Sequence, residues 1–509
     1  MSVKPVAYIG NACAAAFAAV FIAAGCAGSP APSVSSSVPA ESDIADSGAA
    51  SSDGLAYPGK PGDFRLYNTG AIHSPHAWGS MNVHDPAVLK DGDTYWIYST
   101  DVAVGRSPTR GLQIRKSTDL VNWTWVGTVF DDIPEPAAEW SDAETLWAPD
   151  VIKLGNAYYL YYSASVLYSP QSCIGLATAP APEGPWTDRG ILLKSDFSSE
   201  VNAIDPAVSF DAEGNLWMVY GSFSEGIYII EMDKTTGRPV GEEPGRLVAT
   251  RGSQAGSEAP YIVYNSEFKK YYLFLSYDSL FSDYNVRVGR ADSITGPYYD
   301  FSGQKLTDYP WSDDVPEDVE IVSANVGNKL IGGYSFTTGE GWVAPGHQSV
   351  LNDGGDWYLL HHARPVSDKN WTYLHVRKIF WSAEGWPLPS PARYAGEKIQ
   401  AVPKSSVSGS WEVLCHHRLS YEDPVAESWT LEASGSVTAP GYTGSWKLAG
   451  ESTLRLELAD EDGKTLLIEG TVVPSWDWEN GRGGLAFAGI DEDGQTWWAK
   501  RVRGSRKAQ

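Results

Sequence analysis

Short apolar runs broken by Gly, Asn or Asp turns recur along most of the chain, and one phrase shows their pattern. Residues 203–223, AIDPAVSFDAEGNLWMVYGSF, open on an acid–proline pair, pass an apolar stretch and a Gly-Asn turn, and return as an aromatic-rich run. Strand-like runs on either side of such turn residues predict a β-hairpin. The phrase returns four times: HDPAVLKDGDTYWIYST from His84, WAPDVIKLGNAYYLYYS from Trp147, EAPYIVYNSEFKKYYLFLSY from Glu258 and GHQSVLNDGGDWYLLHHAR from Gly346. The aligned lead positions are Asp85, Ala148, Asp205, Ala259 and His347. A looser phrase follows each, starting at Gly111, Cys173, Gly226, Val286 and Val376.

Self-similarity at tens of residues marks a repeat architecture. Two strand pairs per repeat, repeated five times, predict a five-bladed β-propeller with four strands per blade around a central channel. The blades fall near 82–139, 140–200, 201–251, 252–345 and 346–400, and the long fourth interval predicts an insertion of loops over 301–345. From Ser405 the pattern becomes short alternating strands with turns such as Asp462-Gly463, which predicts a small antiparallel barrel or sandwich. The expected organisation is thus all-β, with a propeller over 63–404 and a β domain over 405–509. The second domain reads as a structural cap in preference to a carbohydrate-binding module.

Ahead of these, Lys4 precedes an Ala-rich apolar run over 12–24 that is too short for a membrane span. It ends in Ala23-Ala24-Gly25-Cys26, which resembles a bacterial lipobox. Residues 1–25 are then a lipoprotein-type signal, Cys26 the acylated first residue and 26–62 a flexible tether rich in Ser, Pro, Ala, Gly and Asp. The alternative is an ordinary secretory signal, and either implies export. An extracellular monomer is expected, touching membrane only through its lipid anchor. Cys173 and Cys415 lie in different expected domains, and their spacing does not indicate a disulfide.

With 63 acidic and 38 basic residues, the chain carries a formal charge of −25. Phosphate binding needs a basic surface, so nucleic acid is excluded as a partner class. An acidic surface suits a protein that handles neutral sugars outside the cell. The 21 Trp fill blade cores and leave rings that could serve as sugar platforms.

A propeller brings its lead positions to one mouth of the channel. Asp85, Asp205, Glu258 (one residue before Ala259) and His347 would then share a cavity. Paired carboxylates in a sugar-binding cleft point to glycoside hydrolysis, one giving a proton and the other activating water. A third carboxylate raises the acid's pKa by like-charge repulsion. Glu258, between Ser257 and Ala259, is assigned as the acid, Asp85 as the base and Asp205 as the group that tunes and orients Glu258.

HDPAV, WAPDV with YLYYSAS, IGLATA, NAIDPAV with WMVYGSF, SEAPYI, and YLLHHAR with YLHVRKIFW resemble the arabinanase branch of glycoside hydrolase family 43, across most of 82–382. The resemblance implies a five-bladed propeller, an inverting mechanism and the same roles for Asp85, Asp205 and Glu258. Inversion implies about 6.5–9.5 Å between base and acid. It implies substrate contacts at Asn202, Ala203, Ile204, Asp205, Ser222, Phe223 and Ser224, with Trp147 as a stacking wall. It implies a metal, calcium or a similar divalent ion, beside His347, although calcium prefers several oxygen ligands; no organic cofactor is expected. The implied substrate is plant cell-wall α-1,5-linked arabinan or its oligosaccharides, cut internally. Where a Phe-Gly-Ser-type loop is expected, the chain has Val166-Leu167-Tyr168-Ser169, which bears on endo against exo action. The alternatives are an exo-acting arabinofuranosidase or β-xylosidase, and a non-catalytic sugar-binding lipoprotein.

Overall fold

The computed structural model describes residues 53–62, 72–104, 106–252, 255–308 and 325–502. The expected signal, Cys26 and most of the expected tether lie outside the described residues. Residues 53–62 do not behave as a tether. Leu55 is buried in the core of the C-terminal domain, and Ala56 exchanges hydrogen bonds with the Gln400 side chain at 3.0 and 2.9 Å.

Five antiparallel sheets follow in chain order. The first holds β1 (Ala87–Asp91), β2 (Thr94–Ser99), β3 (Gln113–Ser117) and β4 (Thr124–Thr128). The second holds β5 (Leu146–Leu154), β6 (Ala157–Ala164), β7 (Ser172–Ala179) and β8 (Thr187–Ser195). In the third, β9 (Ala207–Phe210), β10 (Leu216–Tyr220) and β11 (Ile227–Asp233) are completed by two short strands on one edge, β12 (Arg238–Pro239) and β13 (Arg246–Ala249). The fourth holds β14 (Ser257–Asn265), β15 (Lys270–Tyr277), β16 (Asn285–Ala291) and β17 (Asn328–Ile331). The fifth holds β18 (Trp342–Asp353), β19 (Asp356–Pro365), β20 (Tyr373–Trp381) and β21 (Pro387–Pro389). The first strands neighbour one another in a ring, β1 to β5, β9, β14, β18 and back to β1. They therefore line the channel, as the repeat pattern requires of a five-bladed propeller.

The ring is closed by pairing the start of the propeller with its last blade. Met81 bridges Tyr373, and Leu374 donates its N–H to the Ser80 carbonyl at 2.8 Å. The segment expected as an insertion over 301–345 is not all loop: β17, the outer strand of the fourth blade, lies inside it. The displaced strand is carried to the side of the propeller that meets the C-terminal domain.

That domain is a closed barrel of eight strands, β22 (Gly409–His416), β23 (Glu427–Leu431), β24 (Ser436–Ala439), β25 (Tyr442–Leu448), β26 (Thr453–Asp460), β27 (Thr465–Asp477), β28 (Arg482–Asp491) and β29 (Thr496–Arg501). Pairing of β22 with β29 closes it and removes the sheet edges. Trp411, Trp429, Leu456, Phe487 and Trp497 fill the interior, leaving a cavity of about 20 Å³. That is room for a water molecule and not for a sugar. The barrel's outer wall packs on the propeller. Trp498 donates Nε1–H to the Pro389 carbonyl at 2.8 Å, Thr496 donates to the Lys329 carbonyl at 3.0 Å, and Trp498 shares one buried cluster with Tyr334, Trp342 and Leu388. Cys173 and Cys415 are free thiols.

Candidate active site

All five lead residues adopt the left-handed backbone region, with φ of 52° at Asp85, 35° at Ala148, 56° at Asp205, 54° at Ala259 and 49° at His347. Register shifts fall at this point in β5, β14 and β18. A bulge of this kind re-aims side chains at the end of a strand. Strain on non-glycine residues is tolerated where surrounding bonds over-determine it. Here each lead N–H is held: Asp85 N by His362 Nδ1 at 3.3 Å, Ala148 N by Thr100 Oγ1 at 2.8 Å, Asp205 N by Ser163 Oγ at 3.0 Å, Ala259 N by Asp205 Oδ2 at 3.1 Å and His347 N by Ser276 Oγ at 2.9 Å.

Asp85 lies at the centre of the densest part of the mouth. Its Oδ1 is 2.7 Å from His84 Nδ1 and 3.0 Å from His347 Nδ1, and its Oδ2 accepts the Thr100 hydroxyl. Arg364 Nη2 donates to His84 Nε2 at 3.2 Å, so the His84 proton sits on Nδ1, the nitrogen nearer Asp85. His362 accepts the Asp85 N–H at Nδ1, which puts its own proton on Nε2, and its ring stacks on His84 at 3.8 Å. Burial favours the neutral form of Asp85, but the charge of His347 and the hydrogen bonds from His347 and His84 outweigh it and hold the carboxyl well below its usual range. Burial pushes His347 the other way, yet Asp85, Asp205 and Glu258 together carry it up to about 9. His84 and His362 are held below their ordinary value, in both cases chiefly by burial.

Glu258 has the opposite character to Asp85. It is 8 % exposed, and its Oε2 accepts the Ser222 hydroxyl at 2.8 Å. Burial raises its pKa, opposed by the hydroxyls of Tyr284 and Ser222. Tyr284 packs against Gly346, where any Cβ would come within 2.0 Å of its ring. Asp205, also buried, is pushed up to about 7, first by burial and then by Glu258 and Asp85, against the pull of His347. The mouth therefore joins one carboxylate held ionised and two buried carboxyls, Glu258 and Asp205, both pushed towards their protonated forms.

The remaining expected residues divide. Ala203 and Ile204 are buried and fix the loop before Asp205, with Ala203 N donating to Ser195 Oγ at 2.9 Å. Asn202 keeps a buried side-chain oxygen without a protein partner. Trp147 is half-buried and donates Nε1–H to Thr145 Oγ1 at 2.8 Å. Phe223 is exposed, Ser224 half-buried, and Tyr168 stands 94 % exposed on its loop at φ 66°. Ser222 is 3 % exposed and turned onto Glu258.

Sequence reasoning missed His84, Thr100, Tyr284 and His362. His84 and His362 stood in the quoted phrases HDPAV and LLHHAR, but only the lead positions were compared. Thr100 follows the end of β2 and His362 lies within β19, each opposite the residue before a lead position. Nothing in the pattern singled out Tyr284. Two further buried carboxylates are not part of the reaction cluster. Asp101, raised to about 6 by burial, accepts the N–H groups of Gly111, Leu112 and Leu146. Asp150, raised to about 7 by burial, accepts Val208 N at 2.7 Å.

His84, Asp85 and His362 bring ligand atoms within 4.8 Å of one another, a group that could hold a metal ion. Two imidazoles and one carboxylate suit a nitrogen-binding ion better than calcium. His347 is outside this group, its Nδ1 turned to the same Asp85 oxygen.

The family described as glycosyl hydrolases family 43 matches residues 79–387, and the family described as a C-terminal lipocalin-like domain matches 391–499. The extracellular endo-α-(1→5)-L-arabinanase 2 of Bacillus subtilis (strain 168) is 32% identical over 472 residues, spanning 86% of this chain and 96% of that protein. The extracellular endo-α-(1→5)-L-arabinanase of Thermotoga petrophila is 31% identical, spanning 82% and 93%. The crystal structure of a Thermotoga petrophila endo-1,5-α-L-arabinanase superposes with a TM-score of 0.74 at 29% identity, over 83% of this chain and 99% of that one.

Proposed function

The chain belongs to glycosyl hydrolases family 43, and from that premise we propose that it is an extracellular inverting hydrolase that cuts α-1,5-linked L-arabinan internally. The observation that carries this reading is the opposed state of two carboxyls at one mouth, Asp85 held ionised and Glu258 held towards its neutral form. Inverting hydrolysis needs that division. Asp85 takes a proton from water as the water oxygen attacks the anomeric carbon. Glu258 gives its proton to the glycosidic oxygen as the bond to carbon breaks. Asp205 is assigned to tune and orient Glu258: the two buried carboxyls repel when both are ionised, and Asp205 Oδ2 accepts the N–H of Ala259, the residue after Glu258. His347, charged near neutral pH, keeps Asp85 ionised and available.

A divalent ion held by His84, Asp85 and His362 would require the imidazole lone pairs that now accept from Arg364 and from the Asp85 N–H, and it would supply positive charge beside Asp85, the same service His347 gives. Asn202, Phe223, Ser224 and Trp147 are assigned to the substrate, with Tyr168 at the rim. Relatives named extracellular support secretion, and a lipid on Cys26 would tether the enzyme to the cell surface.

The test is a time course on linear arabinan, with xylan and xylo-oligosaccharides alongside. Mixed arabino-oligosaccharides appearing early support the proposal. Arabinose alone from the start moves it to exo action, and action only on xylo-substrates to a β-xylosidase. No product from any substrate leaves the sugar-binding lipoprotein.

A further inference from the structure

Strand register isolates one side chain at the mouth. Thr100, Ser163, Ser276 and His362 occupy equivalent points, each at the mouth end of a blade's second strand and opposite the residue before the lead. Each accepts the lead N–H of the next blade: Ala148, Asp205, His347 and Asp85. The equivalent in the third blade is Gly221. Its φ is 124°, and a Cβ there would stand 2.7 Å from the Gly226 carbonyl oxygen, so the position admits no side chain. The N–H it would have served, that of Ala259, is taken by Asp205.

The turn that Gly221 permits at the end of β10 aims the next residue inward. The Ser222 hydroxyl donates to Glu258 Oε2 at 2.8 Å, and both residues are buried. Tyr284 faces the same carboxyl. We propose that Ser222 is a positioning residue for the proton donor, locking the Glu258 carboxyl so that its other oxygen carries the proton delivered to the leaving group. Oε2 accepts the hydroxyl and so serves as the carbonyl-type oxygen. When the glycosidic bond breaks, the proton leaves Oε1, the leaving oxygen becomes a hydroxyl, and the carboxylate charge remains under the Ser222 hydroxyl. This assigns Ser222 to the acid in place of the substrate, and it rests on the hydrolase reading above.

The experiment measures kcat and KM for the wild type, Ser222→Ala and Ser222→Thr on a linear arabino-oligosaccharide and on its dinitrophenyl glycoside, whose leaving group needs no proton. Ser222→Ala is expected to lower kcat on the oligosaccharide by about tenfold to a hundredfold with KM little changed, and kcat on the dinitrophenyl glycoside by less than about threefold. Ser222→Thr keeps the hydroxyl and recovers most of the loss. A raised KM with unchanged kcat would return Ser222 to the substrate site, and an equal kcat loss on both substrates would make its role purely structural; either overturns the inference. A wild type inactive on both substrates overturns the hydrolase reading itself.

Discussion

On β19, His362 lies at the mouth and its neighbour His361 on the opposite face, and each belongs to a buried histidine cluster. The mouth cluster gathers His84, His347 and His362 around Asp85. The other gathers around Arg377, which donates Nε–H to His361 Nε2 at 3.0 Å and Nη2–H to the Tyr334 hydroxyl at 2.7 Å, with His375 Nδ1 at 3.3 Å. Tyr334 in turn meets His416 and Trp498 of the barrel edge to face. Burial and then the Arg377 charge hold His361 down to about 3, and burial above all holds His375 and His416 well below their ordinary value. At the mouth, where the His347 side chain is 16 % exposed, burial is outweighed by three carboxyls. Beside three carboxyls the His347 imidazole keeps its proton, whereas beside Arg377 the His361 and His375 imidazoles do not. One cluster therefore carries charge to a reaction, and the other is a neutral tie between propeller and barrel.

Removing the central charge of each cluster should separate these roles. Asp85→Asn is expected to lower kcat on arabinan by about 100- to 10,000-fold, the range of a lost general base, while the thermal midpoint changes little. In the same variant the His347 imidazole, followed by NMR, should titrate below the wild-type value of about 9, because its largest raising influence is gone. A His347 that still titrates near 9 would break the comparison. Arg377→Met should act in the opposite sense. It strips donors from the buried Ser390 and Pro391 carbonyls and from Tyr334, and each such group left unpaired costs roughly 1–3 kcal/mol. Thermal unfolding should register the loss, with the ratio of rates on oligosaccharide and dinitrophenyl glycoside unchanged.

A smaller effect is expected in the channel wall. The Asp150 pKa rises from 3.8 to about 7 through burial, so its contribution to stability is present below about 4 and is lost as pH climbs through 7. Asp150→Asn keeps an acceptor for Val208 and removes that loss. The thermal midpoint of the variant relative to wild type should rise between pH 4 and 7 and stay level above 8.

The propeller was legible because its hairpin phrase repeats, and the positive φ at all five aligned lead residues shows that the repeat is a backbone device as well as a hydrophobic pattern. Asp85, Asp205, Glu258 and His347 stand at or beside the same aligned positions, which is why the sequence offers them as site residues. The outer strand of the fourth blade was not legible, because β17 is only four residues long and follows β16 after a long excursion, outside the repeating phrase. The seam of Tyr334, His416 and Trp498 joins residues far apart in the chain, which no local period reports. Ser222 stood inside a quoted phrase, yet its proposed role depends on Gly221 standing where the other blades hold Thr100, Ser163, Ser276 and His362, a fact of register and not of composition.

The account stands on Glu258 as proton donor and Asp85 as base. The most direct measurement compares Glu258→Ala and Asp85→Ala on linear arabinan and on a dinitrophenyl arabinobioside. The account predicts that both fail on arabinan, that Glu258→Ala recovers substantial kcat on the activated glycoside, and that Asp85→Ala does not. Recovery of Asp85→Ala with Glu258→Ala still inactive would show the two roles to be exchanged.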